Sequence, residues 1–306
     1  MASIIKSQEK LESALSEIAG DNTSGASQLF KKALRLFPQI ARIVQNKETP
    51  TDEFLISLSE RLLQIQPAMA PFAHLSRYFA HLAEGQYKKQ VLYNAIMAFP
   101  HAVQRKLQKQ QRAIIDHAAK ELSGYSAVMT HSYSNLVHRW VEKWLKENEA
   151  RSVWVTESRP MREGVNLIKQ LTELPNRKVL LVDDARGLAM RQVEAVVIGA
   201  DRISEKSITN KIGTYALVLL AREFQKPVYV LADGIKFLPE SISLQSEPAH
   251  PAQEIAGELY RAEAFNFYFE QVPVSYVCGI ITAEGMIRPE ALEDKFRQGK
   301  WEIFQS

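Results

Sequence analysis

Residues 195–203 read AVVIGADRI, and residues 210–221 read NKIGTYALVLLA. The first four of these residues form an apolar run with the length and composition of a buried strand, whereas the run that begins at Tyr215 is typical of a helix. Asp201 therefore follows the end of a predicted strand, and Lys211 stands where the next helix is expected to begin. Open α/β sheets bind their ligands along the edge where the strands end. The pairing of Asp201 with Lys211 predicts a polar ligand site at such an edge.

Short apolar runs alternate with amphipathic segments throughout the second half of the chain. The other apolar runs are 127–129, 153–155, 179–182 and 228–231, and helical segments are predicted near 134–147, 163–171, 186–192 and 211–224. Alternation at this spacing is typical of βαβ units, whose parallel sheet is covered by helices on both faces. We therefore predict an α/β domain with a parallel sheet over residues 124–306.

The first half of the chain has a helical period instead. Apolar residues recur at helical spacing between Leu29 and Val44. Further helices are predicted over 52–65, 69–83 and 86–122. Pro38 is expected to kink or break the helix that contains it. Residues 1–123 are thus predicted to form a helical N-terminal domain.

A polar turn at residues 20–27 separates the first two predicted helices. Ser24, Gly25 and Ala26 lie where the free amides of a helix N-terminus can hold an anion. From these residues alone, a simple helix cap and an anion site both remain open.

Composition excludes several classes of protein. The 306 residues are 46% hydrophobic and 24% charged, the formal net charge is +3, and the only cysteine is Cys278. One cysteine excludes an internal disulfide and a multi-cysteine metal cluster, and no apolar run reaches the ~18 residues of a membrane span. The mild positive charge is not that of a nucleic-acid-binding protein. We expect a cytoplasmic protein that neither enters a membrane nor binds nucleic acid directly. Because the chain has no dinucleotide-binding glycine motif and no metal-ligand spacing, we expect it to bind neither a cofactor nor a metal ion.

Polar side chains follow each of the five predicted strands. These loops contain THSYS at 130–134, ESRP at 157–160, DDA at 183–185, DR at 201–202 and DGIK at 233–236. All five would lie along one edge of a parallel sheet. Arg159 can bind a phosphate or pair with a neighbouring glutamate, and Asp201 can act as a general acid or base or accept hydrogen bonds from backbone amides. Both alternatives remain open for each residue, and a hydrogen-bonded core histidine is the simpler interpretation of His131.

In their order along the chain, these motifs form a larger pattern that covers about residues 18–290. It comprises TSGAS at 23–27, MTHSYS at 129–134, ESRP at 157–160, EG at 163–164, DDA at 183–185, GADRI at 199–203, NKIGTY at 210–215, PVYV at 227–230, FEQVP at 269–273 and IITAEG at 280–285. The pattern resembles the superfamily that contains the alpha, beta and delta subunits of translation initiation factor 2B. The same superfamily holds methylthioribose-1-phosphate isomerase and ribose-1,5-bisphosphate isomerase.

The resemblance implies an architecture, a ligand and a site. It implies a helical N-terminal domain followed by a Rossmann-like C-terminal domain, with dimerisation through the latter and a sugar-phosphate pocket between the two. The ligand would be a small phosphorylated sugar or a nucleotide, and initiation-factor-type proteins would be further partners of the homodimer. The binding residues implied are Ser24, Gly25, Ala26, His131, Arg159, Asn210 and Lys211. Asp201 falls on the family's catalytic carboxylate.

Ser132 separates the interpretations of function. The isomerases have a cysteine at this position, directly after Thr-His, and a thiol loses its proton far more readily than a serine hydroxyl. Ser132 is therefore only a substitute candidate for a second catalytic group beside Asp201. We predict a regulatory subunit that resembles the alpha subunit of initiation factor 2B and binds a sugar phosphate or a nucleotide without turning it over. The alternatives are an aldose–ketose isomerase of the ribose-1,5-bisphosphate or methylthioribose-1-phosphate type, with Asp201 as acid and base, and a scaffold whose pocket no longer binds a ligand.

Overall fold

A computed structural model describes residues 2–21, 24–244, 246–256 and 263–299. The chain divides into two compact units. The first comprises the described residues up to Gln108 together with residues 243, 244 and 246, and the second comprises the described residues in 109–242 and 247–299. The division between the units falls inside the long helix Lys89–Glu121. A domain boundary near residue 124, just after the end of this helix, stays a prediction.

The first unit is built from helices. They are α1 (Ala2–Ala19), α2 (Ala26–Leu34), α3 (Phe37–Gln45), α4 (Thr51–Ile65), α5 (Ala70–Glu84) and α6 (Lys89–Glu121), the last of which continues into the second unit. Pro38 lies in the first turn of α3, where its missing amide proton is not needed, so the predicted break falls just before it. The ring of Phe37 packs 5.1 Å from that of Phe99 on α6, within a buried apolar core.

The second unit is an α/β domain. Its main strands are β1 (Ala127–Thr130), β2 (Ser152–Thr156), β3 (Arg177–Leu181), β4 (Ala195–Ile198), β5 (Arg202–Ile203), β6 (Ser207–Lys211), β7 (Val228–Leu231), β8 (Phe269–Pro273), β9 (Gly279–Thr282) and β10 (Gly285–Ile287). Its helices are α7 (Asn135–Lys146), α8 (Glu163–Gln170), α9 (Arg186–Ala189), α10 (Thr214–Glu223) and α11 (Leu292–Arg297). A seven-stranded sheet has the order β10-β9-β7-β4-β1-β2-β3 and is parallel except for β10. The predicted helical N-terminal region and parallel sheet are thus confirmed.

Strand β4 lies in the middle of this sheet and is buried on both faces. Val196 and Ile198 belong to one apolar cluster, whereas Ala195 and Val197 belong to another, as the two-residue period of a strand requires. An unbroken apolar run is what a central parallel strand needs, because helices cover both of its faces. The four-residue run could therefore be recognised in the sequence.

The expected helix from residue 211 begins later than predicted. Asn210 and Lys211 lie on β6, which pairs with β5 and β8 in a separate three-stranded antiparallel sheet. Helix α10 begins only at Thr214, after Gly213, whose φ of +97° is in the left-handed region that favours glycine. The pairing with β8 satisfies the backbone hydrogen-bonding groups of residues 210 and 211. These two residues therefore belong to the sheet and not to the helix.

None of the helices in the described part of the chain has the length and apolar content needed to span a bilayer.

We expect Gly164→Ala to lower the free energy of unfolding by about 2 kcal/mol or more, because α8 must move away from β2 to make room for the added methyl group. A Cβ at Gly164 would lie 1.8 Å from the carbonyl oxygen of Thr156, at the end of β2. Gly187→Ala, in α9, is the matched control, since its Cβ would meet nothing closer than a side-chain carbon of Leu220 at 4.0 Å. Urea denaturation measures both variants, and equal unfolding free energies would contradict the close packing of α8 on β2.

Candidate functional site

His131 follows β1 directly and connects three segments of the second unit. Its side chain is buried, with Nδ1 2.6 Å from the hydroxyl of Thr156 at the end of β2 and Nε2 2.8 Å from the backbone carbonyl oxygen of Ile212. A carbonyl oxygen can only accept, so Nε2 carries the ring proton and Nδ1 accepts a hydrogen bond from Thr156. When the ring is neutral, its tautomer is therefore the one with the proton on Nε2.

The surroundings of His131 keep this ring uncharged. Burial lowers the pKa of His131 from 6.5 to about 4, and the hydrogen bond to Ile212 opposes this effect. The nearby cations Arg186 and Lys211 lower the pKa further, whereas Asp183 raises it. At neutral pH both ring nitrogens are occupied by hydrogen bonds, so His131 is a weak base that holds loops together.

The loops after β1 and β2 are held in one arrangement by backbone hydrogen bonds. Ser132 and Ser158 have φ values of 66° and 64°, in the left-handed region that serine rarely adopts. The Ser132 amide donates to the Ser158 hydroxyl at 2.7 Å, and that hydroxyl lies 3.0 Å from the hydroxyl of Thr156. The amides of Ser158 and Arg159 donate to the two carboxylate oxygens of Asp183 at 3.0 and 2.7 Å. These contacts stabilise a strained backbone, which is a common feature of ligand sites.

Lys211 is the last residue of β6, and only 3% of its surface is exposed. Its Nζ lies 2.7 Å from Oε1 of Glu163, the first residue of α8, and 4.8 Å from the centre of the Tyr268 ring. The first contact is an ion pair, and the second is a cation–π interaction. Lys211 is therefore a buried cation with one carboxylate partner.

Asp201 lies in the loop after β4, and its side chain is 15% exposed. Its Oδ1 is 3.7 Å from Nζ of the buried Lys236, and its backbone amide donates to the carbonyl of Thr209 on β6 at 2.9 Å. Burial raises the pKa of Glu163, and the charge of Asp201 adds to this effect. The carboxylates of Asp201 and Glu163 thus interact electrostatically, and each is paired with a lysine. We refer to Glu163, Asp201, Lys211 and Lys236 as the charge cluster.

Asn210 is buried beside the turn that leads into α10. Its Nδ2 donates to the Thr214 hydroxyl at 3.0 Å, and that hydroxyl donates to the carbonyl of Lys211. The first amides of α10 are not free either, because Glu270 accepts a hydrogen bond from the Tyr215 amide at 2.7 Å. Asn210 therefore helps to position Lys211, because its side chain and the Lys211 carbonyl both bond the Thr214 hydroxyl at the start of α10.

Arg159, a predicted phosphate ligand, has an exposed side chain that contacts backbone rather than the charge cluster. Its Nη2 donates to the carbonyl oxygens of Ile255 at 2.9 Å and Glu254 at 3.3 Å. Neither glutamate that was a candidate partner for Arg159 pairs with it, since Glu157 lies 3.4 Å from Arg162 and Glu163 pairs with Lys211. Its role in phosphate binding stays a prediction.

Ser24, Gly25 and Ala26 form the turn before α2 in the first unit. The Ser24 amide donates to Oδ1 of Asp21 at 3.0 Å, and Lys32 donates to the Ser24 hydroxyl at 3.2 Å. Gly25 caps α2, in which Ala26 is the first residue. Thr23, which belongs to the same sequence motif, lies outside the described residues. The structure thus describes a helix cap, and a role of this turn in ligand binding stays a prediction.

The residue pattern did not identify several members of the site. Arg186 is buried, and its Nη1 donates to the carbonyl oxygen of Gly213 at 2.8 Å, directly after the carbonyl that His131 holds. Glu163, Lys236 and Tyr268 were not singled out either. The only signals were that Glu163 follows the ESRP motif and that Lys236 ends the DGIK run. In the described part of the chain, no group of three or more His, Cys, Asp or Glu is placed to hold a metal ion.

The low pKa of His131 predicts a loss of stability in acid. The unfolded chain takes up a proton near pH 6.5 and the folded protein only near pH 4, so the contribution of His131 is complete above pH 6.5 and is lost as the pH falls toward 4. At about 1.36 kcal/mol per pH unit, this loss reaches up to about 3 kcal/mol. In urea denaturation at pH 7, 5.5 and 4, the stability difference between the wild type and His131→Asn should shrink by that amount.

His101→Asn is the matched control, because His101 lies on an exposed face of α6. Its variant should follow the wild type at each pH. A constant difference between the wild type and His131→Asn would contradict the buried neutral imidazole.

Comparison with known proteins agrees with the resemblance seen in the motifs. The chain is 26% identical over 284 residues to a putative translation initiation factor eIF-2B subunit 2-like protein of Pyrococcus furiosus, which covers 92% of this chain and 97% of that protein. It is 28% identical over 291 residues to a ribose 1,5-bisphosphate isomerase of Archaeoglobus fulgidus, with 92% and 91% covered. The crystal structure of translation initiation factor eIF-2B from Pyrococcus horikoshii OT3 superposes with a TM-score of 0.75 at 26% identity, over 92% of this chain and 98% of that one. Because residues 22–289 match the family described as the Initiation factor 2 subunit family, the protein belongs to that family.

Proposed function

We propose that this protein is a regulatory subunit of the initiation factor 2B type. It binds a small phosphorylated sugar or a nucleotide in its second unit without converting it, and it works in the cytoplasm with initiation-factor-type protein partners. The similarity to an eIF-2B subunit 2-like protein over nearly the full length of both chains supports this proposal.

The observation that carries the proposal is the surroundings of Ser132. A serine hydroxyl needs an adjacent base before it can take part in proton transfer at neutral pH. The neighbouring His131 cannot act as that base, because one ring nitrogen donates to the carbonyl of Ile212 and the other accepts from Thr156. In the described part of the chain, no hydrogen bond joins the Ser132 hydroxyl to a base. This supports a site in which the position of the isomerases' thiol takes no part in proton transfer.

One specific observation favours the isomerase as a second candidate. Asp201, on which the resemblance places the family's catalytic carboxylate, lies in the loop after β4, and its Oδ1 is 3.7 Å from Nζ of Lys236. The ribose 1,5-bisphosphate isomerase of Archaeoglobus fulgidus resembles this chain over 91% of its own length. In this candidate Asp201 moves the proton without help from Ser132.

A ligand screen separates the candidates. Phosphorylated pentoses and nucleotides are tested by thermal shift, and each compound that binds is incubated with the protein and analysed by NMR for ketose products. We expect at least one compound to stabilise the folded protein, by about 2.7 kcal/mol at a concentration of about 100 times its Kd, with no product formed. Lys211→Met should abolish the stabilisation, because it removes the buried cation.

Three outcomes of this screen have different meanings. Turnover at an enzyme-like rate that Asp201→Asn abolishes would overturn the regulatory proposal in favour of the isomerase. Stabilisation by no compound would leave the third interpretation, a scaffold with a vestigial pocket. Stabilisation without product, lost in Lys211→Met, is the result that supports a regulatory subunit.

The proposed homodimer would form through the β3 edge of the second unit. Strand β3 is the last strand of the seven-stranded sheet, and an edge strand leaves backbone hydrogen-bonding groups unpaired. Apolar side chains are exposed on it and after it, with exposed fractions of 43% for Leu180, 61% for Val182 and 79% for Leu188. Such exposure on a folded domain is typical of a surface that another protein covers.

We expect Leu188→Lys to weaken dimerisation at least tenfold in sedimentation velocity, because a charge would replace apolar contact area at the interface. Ile56→Lys is the control, since Ile56 is 49% exposed on α4 of the first unit. The same dimer content in both variants would exclude the β3 edge as the interface, and a monomeric wild type would exclude the homodimer.

A further inference from the structure

The ion pair between Lys211 and Glu163 leaves buried polar atoms unsatisfied. Within the residues that the structure describes, Nζ of Lys211 is buried and has no hydrogen-bond partner apart from its 2.7 Å contact with Oε1 of Glu163, and the buried Oε2 of Glu163 has none. Buried polar atoms are usually hydrogen-bonded, and exceptions are common where a ligand belongs. An ammonium has three donors, so Lys211 retains donors for a ligand.

The charges of the cluster compensate one another. Lys211 pairs with Glu163, Lys236 lies 3.7 Å from Asp201, and the charge of Asp201 acts on Glu163. With all four groups ionised, the cluster carries no net charge. An anion that approached Lys211 would meet the Glu163 carboxylate at the same place, and like charges that are close together in a buried site repel strongly.

Protonation of Glu163 removes this conflict. A protonated carboxyl group is neutral and can donate a hydrogen bond, so it would turn from a competitor of the ligand into a donor to it. Burial already raises the pKa of Glu163, the ion pair with Lys211 opposes this, and the charge of Asp201 raises it again. An anion on Lys211 would weaken the ion pair, which together with a backbone hydrogen bond favours the ionised form of Glu163.

Few other groups around Glu163 could take up this proton in its place. Lys211 comes from β6, Asp201 from the loop after β4, and Tyr268 from the segment before β8. Next to α8, Glu157 after β2 is paired with Arg162, and Asp183 after β3 accepts two backbone amides.

We propose that Glu163 is a charge-selecting residue, which admits an anionic ligand to Lys211 only together with one proton. This rests on the proposed function in one respect, that Lys211 is the cation that holds the ligand's anionic group. The site would then bind anions more tightly as the pH falls.

Sulfate is the probe for this proposal, because it stays a dianion throughout the range from pH 5.5 to 8. Any pH dependence of its binding therefore reports protons on the protein. We expect sulfate affinity in isothermal titration calorimetry to rise by up to tenfold for each unit of falling pH. Titrations in buffers of different ionisation enthalpy should give an uptake of close to one proton per sulfate at the alkaline end of this range.

Three variants locate the proton. Glu163→Gln removes the titratable group but keeps the shape, so sulfate should bind at least tenfold more tightly at pH 8, with little change in affinity between pH 5.5 and 8. Glu157→Gln, in the preceding loop, is the matched control and should keep the wild-type pH dependence. Lys211→Met should abolish the binding in both the wild-type and the Glu163→Gln backgrounds.

The proposal is overturned by several results. These are wild-type sulfate binding without proton uptake, a pH dependence that survives in Glu163→Gln, sulfate binding that survives in Lys211→Met, and no sulfate binding at all. Failure of the proposed function is distinguishable, since it is judged by the sugar-phosphate and nucleotide screen. A sugar phosphate that binds through Lys211 without proton uptake would leave that function intact and refute only the role of Glu163.

Discussion

The buried, neutral imidazole of His131 is the contact on which the rest of the site depends. Through its two ring nitrogens it joins the ends of β1 and β2 to the turn before α10. A charged imidazolium would add a cation next to Lys211 and Arg186, and the Thr156 hydroxyl would then have to accept the hydrogen bond that it now donates. Lys211 directly precedes the carbonyl that His131 holds, so its position follows from that of the histidine.

The same region concentrates features that are unfavourable in themselves. Ser132, Ser158 and Arg162 have left-handed backbones, and the Lys211–Glu163 pair is buried. A buried ion pair is weak evidence for stability, because removing two charges from water costs more than a pair with imperfect hydrogen bonds regains. Three strained residues and two compensated ion pairs around the ends of neighbouring strands therefore support the ligand site that we propose, because folding alone gains little from them.

The sequence allowed much of the fold to be predicted, but only part of the site. The central strand β4 was recognisable because both of its faces are buried, which leaves an unbroken apolar run. Strand β6 was not, because its residues SITNK belong to a small second sheet whose partner β8 is distant along the chain. Local periodicity carries no information about such a partner, so the segment around Lys211 was assigned to the helix that follows.

The site shows the same division between local and distant information. Asp201, Lys211 and His131 could be proposed because each lies beside a strand or helix that the pattern defines. Glu163 and Arg186 could not, because their importance lies in distances between side chains: 2.7 Å from Glu163 to Lys211, and 2.8 Å from Arg186 to the carbonyl of Gly213. Residue type alone would place either on a solvated helix face.

Function in such a fold is decided by a few side chains at the strand ends and not by the backbone, since one fold supports many activities. Here two of those side chains support the same proposal, which is binding without turnover. Ser132 stands where the resemblance implies a thiol in the isomerases, and in the described part of the chain no hydrogen bond joins its hydroxyl to a base. Glu163 forms an ion pair with Lys211, the cation that we propose as the ligand of the anionic group. In our proposal, the first leaves the site without a reactive thiol, and the second makes ligand binding conditional on the state of a carboxylate. An enzyme gains nothing from either feature, because turnover needs a reactive group and a site ready to accept substrate. A subunit that reports on a ligand needs only binding, and a binding equilibrium that responds to conditions is an advantage for it.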